Sequence, residues 1–318
     1  MDPEEFRRQG HAAVDWIAEY WRDLESRPVT PSVRPGDIAG ALPSAPPRLG
    51  ESFERVMEDF ERIIVPGMSH WNHPGWMGYF PSSSSAPAVL GDMLTTAFSA
   101  VCMSWNTSPA ATELEQVVMR WIRDLIGLPA DFTGVIQDTA SSATLVAFMT
   151  ARNRAGSRQA DRLTAYWSEE AHSSVAKAAR LAGFADHRCR VIPTDDCYSM
   201  DSGILDAVID ADRDQDLVPG IIVGTMGTTA STACDPLRAI GETARRSGAW
   251  FHVDAAYGGM LAMLPEVRPL LDGVELADSM VTNPHKLLLT SNNCSAYFVR
   301  DAEALTRTFS TSPEYLRT

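Results

Sequence analysis

The chain has 318 residues, 45% hydrophobic and 21% charged, enough to bury one large core and carry an appendage. Its formal net charge of -14 gives it no basic face for a phosphate backbone, which argues against nucleic acid as a partner. No apolar run approaches the ~18 residues of a membrane-spanning helix. The opening "MDPEEFRRQG" lacks the apolar core of a signal peptide, and five scattered cysteines include no C-x-x-C pair. These features predict a soluble cytoplasmic protein with reduced thiols, no membrane contact, no metal centre and a small-molecule partner.

In chain order, Asp2-Pro3-Glu4-Glu5 reads as a capped helix start with acids facing the helix dipole. Phe6, Val14, Ile17, Trp21 and Leu24 then recur at helical spacing and need a surface to lie on. Residues 28–50 hold six prolines and read as an extended linker. "ESFERVMEDFERIIVPG" follows as a second amphipathic helix. Residues 1–85 are therefore expected to form a helical arm without a core of its own, one that docks on another surface. From residue 86 the pattern changes. Helical stretches such as "PAATELEQVVMRWIRDLIG" alternate with short apolar runs: "GVIQ", "TAYW", "GIIVGT", "AWFHVD" and "SMVTN". That alternation predicts an α/β domain over 86–318 with a mostly parallel sheet flanked by helices. In such sheets ligands bind beyond the carboxyl ends of the strands.

The residues just past those strand ends are chemically selective. "DTASSAT" opens a helix after "GVIQ", and hydroxyls with free N–H groups there suit an anion, although the same residues serve as ordinary caps. Met226-Gly227-Thr228-Thr229 follows "GIIVGT" as a small hydroxylated loop. Asp254 ends "AWFHVD", where a carboxylate leaving an apolar strand needs a cation or N–H partner or caps the next turn. His252 shares its strand face, but two residues without a third ligand do not make a metal site. Lysine is nearly absent: the chain holds twenty-five arginines and only Lys177 and Lys286. Lys177 fits the solvated face of a helix. Lys286, in "VTNPHKLLLT", sits among apolar residues, where an amine offers what guanidinium cannot: it can lose its proton and act as a nucleophile. An anion site, a carboxylate and such a lysine together meet the needs of pyridoxal 5'-phosphate, with His172 of "EEAHSSVAKA" as a candidate to stack on its ring, or simply a helix cap.

The motifs "HWNHPGWMGYFPSS", "SPAATELE", "AHSSV", "HVDAAYGG", "NPHK" and "STSPEYL", in this order along the chain, resemble the aromatic-L-amino-acid decarboxylase family. These are group II pyridoxal-phosphate decarboxylases of fold type I. The resemblance implies Lys286 as the lysine bonded to the cofactor aldehyde, Asp254 on the ring nitrogen and His172 on one ring face, with Ala256 on the other. It implies Ala140, Ser141 and Thr229 at the phosphate or ring substituents, with Asn283 and His285 beside the lysine. On the substrate side it implies Trp71, Tyr79, Phe80, Pro81, Ser82, Val101 and Met103. It further implies a homodimer whose arms clasp each other and an L-amino-acid substrate, aromatic in type, yielding amine and carbon dioxide. Alternatives are an aldehyde synthase that couples decarboxylation to oxidative deamination, an acidic amino-acid decarboxylase of the same group, and a non-catalytic dimer that binds the cofactor. Two positions depart from the family: Leu287 replaces a tryptophan, and Met103 stands where an aromatic residue is usual. The family's mobile catalytic loop and small C-terminal domain are expected to lie beyond "SPEYL".

Overall fold

The computed structural model describes residues 1–82 and 84–310, so the "STSPEYL" motif beyond Ser310 lies outside the described residues. The chain divides into two compact units, Met1–Pro81 and the remainder from Ser82.

The first unit holds α1 (Pro3–Arg22), α2 (Asp37–Ala41) and α3 (Phe53–Asp59). Asp2 caps α1 as the sequence predicts, its Oδ1 accepting the Glu5 N–H at 2.8 Å. The short α2 interrupts the proline-rich stretch, which reads from sequence as a plain linker. Trp16 meets Phe60 edge-on at 5.1 Å, and its indole donates to Glu61 at 2.6 Å. Tyr20 stacks on Trp16 and places its hydroxyl 2.8 Å from His70 Nδ1. Part of the apolar stripe on α1 is thereby covered: Leu24 is buried, whereas Phe6 remains 59% exposed.

The second unit runs α4 (Ala86–Phe98), α5 (Pro109–Ile126), β1 (Thr133–Gln137), α6 (Ala140–Ala155), β2 (Leu163–Ser168), α7 (Ser173–Leu181), β3 (Cys189–Ile192) and α8 (Ser202–Asp214). It continues with β4 (Val218–Thr225), α9 (Leu237–Ser247), β5 (Trp250–Asp254), β6 (Ser279–Thr282), α10 (Pro284–Leu287), β7 (Ser295–Val299) and α11 (Ala302–Phe309). The sheet order is β1-β7-β6-β5-β4-β2-β3. β7 pairs antiparallel with both β1 and β6, and every other pairing is parallel. All strands except β7 therefore point the same way.

Both faces of the sheet are covered, which is why its strands read as unbroken apolar runs. On one face Ile222, Phe251, Val253 and Met280 pack with Leu237 and Ile240 of α9. On the other Ile221, Val223, Trp250 and Val281 pack with Ala143, Ala147 and Phe148 of α6. Among the described residues no helix is long and apolar enough to cross a membrane. One buried polar knot braces the β2–β3 edge. Asp212 of α8 accepts from Tyr166 at 2.8 Å and from the Arg190 guanidinium at 2.7 Å. Removing one partner strands the other charge, so Asp212→Ala should lower unfolding stability by about 3–5 kcal/mol. Tyr166→Phe removes the hydroxyl's bonds to Asp212 and Thr164 and should cost about 1–3 kcal/mol. Urea unfolding followed by tryptophan fluorescence checks both.

Candidate active site

The carboxyl ends of the parallel strands carry the selective residues to one edge of the sheet. Three backbone bonds tie that edge together: Met226 N–H to Asp254 O at 2.9 Å, Ala255 N–H to Val281 O at 2.9 Å, and Asn283 N–H to Ala256 O at 3.1 Å. The ends of β4, β5 and β6 are thus held side by side. Asp254 is buried there, Oδ1 accepting the Ala256 N–H at 3.1 Å. Beside it in register stands Thr225, whose buried Oγ1 has no partner among the described residues.

Lys286 lies one turn past β6, its N–H donating to Asn283 O at 3.0 Å within the short α10. Burial lowers the pKa of its amine, and the nearby Asp254 charge opposes that shift. The two groups therefore sense each other, while the amine is eased toward the neutral, nucleophilic form. Asn283 is fixed through Oδ1, which accepts from Ser295 Oγ at 2.7 Å. His285 Nδ1 accepts the Cys294 N–H at 3.0 Å, which puts the proton of the neutral ring on Nε2. Burial lowers its pKa, with the charge of Lys286 acting in the same direction.

At the end of β1, Thr139 caps α6 by accepting the Ser142 N–H at 3.3 Å. The Ala140 and Ser141 N–H groups have no acceptor among the described residues, so the helix start is open to an anion. His172 caps α7, its Nδ1 accepting the Ser174 N–H at 3.2 Å. Capping and a role for the exposed ring are compatible, because capping uses only the in-plane nitrogen. Thr229 is exposed on the loop after β4, next to buried Thr228. Gly227 makes that loop possible: it has φ +88°, and a Cβ there would approach Tyr257 at 3.1 Å and the Gly258 nitrogen at 3.2 Å.

Three supporting residues escape the sequence reading. Asp235 accepts from Thr225 N–H at 2.7 Å and Met200 N–H at 2.8 Å, and returns its own N–H to Thr225 O. It thereby clamps the end of β4, and burial pushes its pKa up to about 6. Ser231 meets Thr228 Oγ1 at 2.7 Å and donates to Glu170 at 3.2 Å, tying the Thr229 loop to the His172 loop. Nothing in the spacing of the sequence marks Asp235, Ser231 or Glu170.

The substrate-side residues are divided between the two units. In the first unit Trp71 stacks with Tyr79 at 5.7 Å, meets Trp76 at 4.4 Å and donates to Phe80 O at 3.0 Å. Trp76 is an addition to the predicted set, and Tyr79 and Pro81 are exposed. In the second unit Ser82 is half-buried, while Val101 and Met103 lie on the exposed stretch after α4. Neither Val101 nor Met103 hydrogen-bonds to the strand-end group among the described residues.

Comparison with known proteins accords with this geometry. Residues 35–318 match the pyridoxal-dependent decarboxylase conserved domain. The chain belongs to that family. Across its whole length it is 41% identical to phenylacetaldehyde synthase of Arabidopsis thaliana, covering 67% of that protein, and 42% identical to aromatic-L-amino-acid decarboxylase of Rattus norvegicus, covering 70%. It spans about two thirds of the length of such curated relatives, 62% for one from Papaver somniferum. The crystal structure of Oryza sativa TDC with PLP and tryptamine superposes with a TM-score of 0.97 at 40% identity, covering all of this chain and 68% of that one. The expected fold-type-I arrangement is thus the one observed. The donor set also fits the group that the pyridoxal-dependent decarboxylases use. A buried carboxylate, an amine with a lowered pKa, a helix start whose Ala140 and Ser141 N–H groups have no acceptor among the described residues, and the unpartnered Thr225 hydroxyl converge on the same sheet edge.

Fully buried His252, two residues before Asp254, has its pKa lowered by burial to about 4. Above pH ~6.5 neither folded nor unfolded chain protonates it. Below that, the unfolded chain takes up a proton that the fold refuses until about pH 4. Stability should therefore fall by about 3 kcal/mol across this window as the pH drops. Buried Asp235, with its pKa pushed up to about 6, adds stability as the pH drops over much of the same window, so the loss should be read as the difference in unfolding free energy between the parent and His252→Gln from pH 7 to 4.

Proposed function

We propose that this chain binds pyridoxal 5'-phosphate and decarboxylates an aromatic L-amino acid to its amine. The observation that carries the reading is the pairing of Lys286, an amine eased from its proton by burial, with Asp254 at the adjacent strand end. The cofactor, when bound, supplies a ring that accepts electrons as a carboxylate leaves. Asp254 would hold the proton on the ring nitrogen, and Lys286 would bond the aldehyde. The N–H groups of Ala140 and Ser141, with Thr229, would receive the phosphate or ring substituents. His172 and Ala256 would flank the ring, with Asn283 and His285 holding the lysine in place.

Support for an aromatic substrate comes from relatives: the decarboxylase from Rattus norvegicus, and the Oryza sativa structure that contains tryptamine. The aromatic group of Trp71, Tyr79 and Phe80, with Pro81, Ser82, Val101 and Met103, would face that substrate. A second reading, the aromatic aldehyde synthase, is favoured by the similarity to phenylacetaldehyde synthase. We place the protein in the cytoplasm, with residues 1–85 as a dimerisation arm and 86–318 as the cofactor-binding domain. A homodimer is supported by apolar surface in both units: Phe6 and Val14 on α1, and Leu90, Leu94 and Phe98 four residues apart on α4, with Phe98 81% exposed.

Three measurements test this reading. Mixed with pyridoxal phosphate, the parent should develop the visible absorbance of a lysine-bound cofactor, and Lys286→Arg should not, since guanidinium is no nucleophile. An unchanged band in that variant would refute the site. Assaying amine, aldehyde and peroxide from tryptophan, tyrosine, DOPA, phenylalanine and glutamate separates the readings. Amine alone from aromatic substrates is expected, aldehyde with peroxide would establish the synthase, and turnover of glutamate alone would overturn both. Light scattering should give the mass of a dimer, and Leu94→Asp with Phe98→Asp should give a monomer. A monomeric parent would rule out the dimer.

A further inference from the structure

The turns that follow β2 and β4 carry His172 and Thr229, and the two strands are neighbours in the sheet, Trp167 standing in register with Val223. Each turn is closed on itself. After β2, Ala171 N–H donates to Ser168 O at 3.0 Å and Val175 N–H to His172 O at 2.9 Å. After β4, the Gly227 and Thr228 N–H groups both donate to Ala233 O, at 3.0 and 2.9 Å, and Thr232 N–H returns to Thr228 O at 3.0 Å. Ala233 N–H reaches Thr228 Oγ1 at 3.1 Å and Ser231 Oγ at 3.5 Å. These internal bonds shape each turn but do not set the distance between the two. Ser231 and Glu170 bridge that gap: Ser231 Oγ donates to Glu170 Oε2 at 3.2 Å and meets Thr228 Oγ1 at 2.7 Å. Thr228 is buried directly before Thr229, and Glu170 lies two residues before His172.

The adjacent carboxylate faces another strand. Glu169 Oε1 accepts Thr194 N–H at 3.0 Å and Thr194 Oγ1–H at 2.8 Å, so it holds the chain leaving β3. Two consecutive glutamates thus fasten the turn after β2 to the chain on either side of it, and the side held by Glu170 is the one that carries Thr229. By charge alone, a carboxylate beside a turn that receives a phosphate would repel the ligand. As the acceptor of a charge-assisted hydrogen bond it has the opposite effect, because it orders the turn. We propose that Glu170 is a positioning residue for the cofactor, latching the Thr229 turn to the His172 turn through Ser231, so that both stand correctly spaced before the ring arrives. Turns ordered in advance lose less freedom when a ligand binds. This inference rests on the cofactor reading above.

The first test needs no cofactor. Amide hydrogen exchange over residues 227–233 should be about fivefold faster in Glu170→Ala than in the parent, with exchange in β5 unchanged. Equal exchange overturns the latch. The second titrates pyridoxal phosphate against the parent and its variants, read by the visible band. Glu170→Ala and Ser231→Ala should each bind about fivefold more weakly, the scale of one hydrogen bond. Combining them should weaken binding no further, since each removes the same latch. Glu170→Gln keeps an acceptor oxygen and should stay within about twofold of the parent. So should Glu169→Ala, which removes an equal charge one residue away. Unchanged or tighter binding by Glu170→Ala overturns the proposal, as does a double variant weakened by the product of the two single effects. Glu170 and Ser231 are half-buried and outside both cores, so the variants should fold. If Glu170→Ala does not, Ser231→Ala decides. A parent that binds no pyridoxal phosphate gives a different result: it removes the cofactor reading and this inference with it.

Discussion

The register of β4, β5 and β6 is the constraint on which the site depends. These strands run in parallel and are locked at their carboxyl ends by backbone bonds through Met226, Ala255 and Asn283. Asp254 is therefore not placed by its own side chain. It is carried to the edge by a strand whose other residues are held by two cores, and its neighbours arrive by the same geometry. A slip of one residue in β5 would turn Asp254 to the opposite face and bring His252 and Trp250 with it. The position of the carboxylate is thus as secure as the packing of Phe251 and Val253 beneath it.

Lys286 shows what that placement does to an amine. Burial disfavours its charged form and Asp254 favours it. The balance falls on the side of burial. The surface behaves differently. Exposed pairs such as Arg238–Asp272 and Arg246–Asp206 are arginine pairs, each worth little in water. Lys286 stands where the ability to lose a proton has a use, and guanidinium does not lose one within a protein.

The parts of this arrangement that could be read from sequence are those carried by periodicity. Apolar runs mark β1, β2, β4, β5 and β6, and the residue after each run is by construction at the sheet edge, so Asp254, Thr229, Ala140 and Lys286 could be found by counting. β3 and β7 are harder. "CRVI" mixes a cation into an edge strand, and "SAYFV" follows a polar stretch that gives no sign of its reversed direction. The Asp235 clamp and the Glu170–Ser231 tie depend on how the loops turn back, through residues such as Gly227 at positive φ. Side-chain bonds to the backbone across a loop have no spacing rule, and a pattern read along the chain cannot supply them.

The departure at position 287 takes on a different meaning once its surroundings are known. From sequence, leucine in place of tryptophan directly after the lysine weakens the argument for a large aromatic substrate. In the fold, Leu287 is half-buried and packs, with Leu288, against the core that contains Phe251, Val253 and Met280. Its environment is the apolar layer beneath the lysine. A change of side-chain volume there is answered by repacking among methionines and leucines, the side chains that adapt most readily to a new shape. Met103 is the opposite case: it is 70% exposed, outside both cores, and its contacts are not set by the packing of the sheet. Of the two departures, the one at 287 therefore concerns how Lys286 is supported, and the one at 103 concerns what a ligand or a second chain would touch.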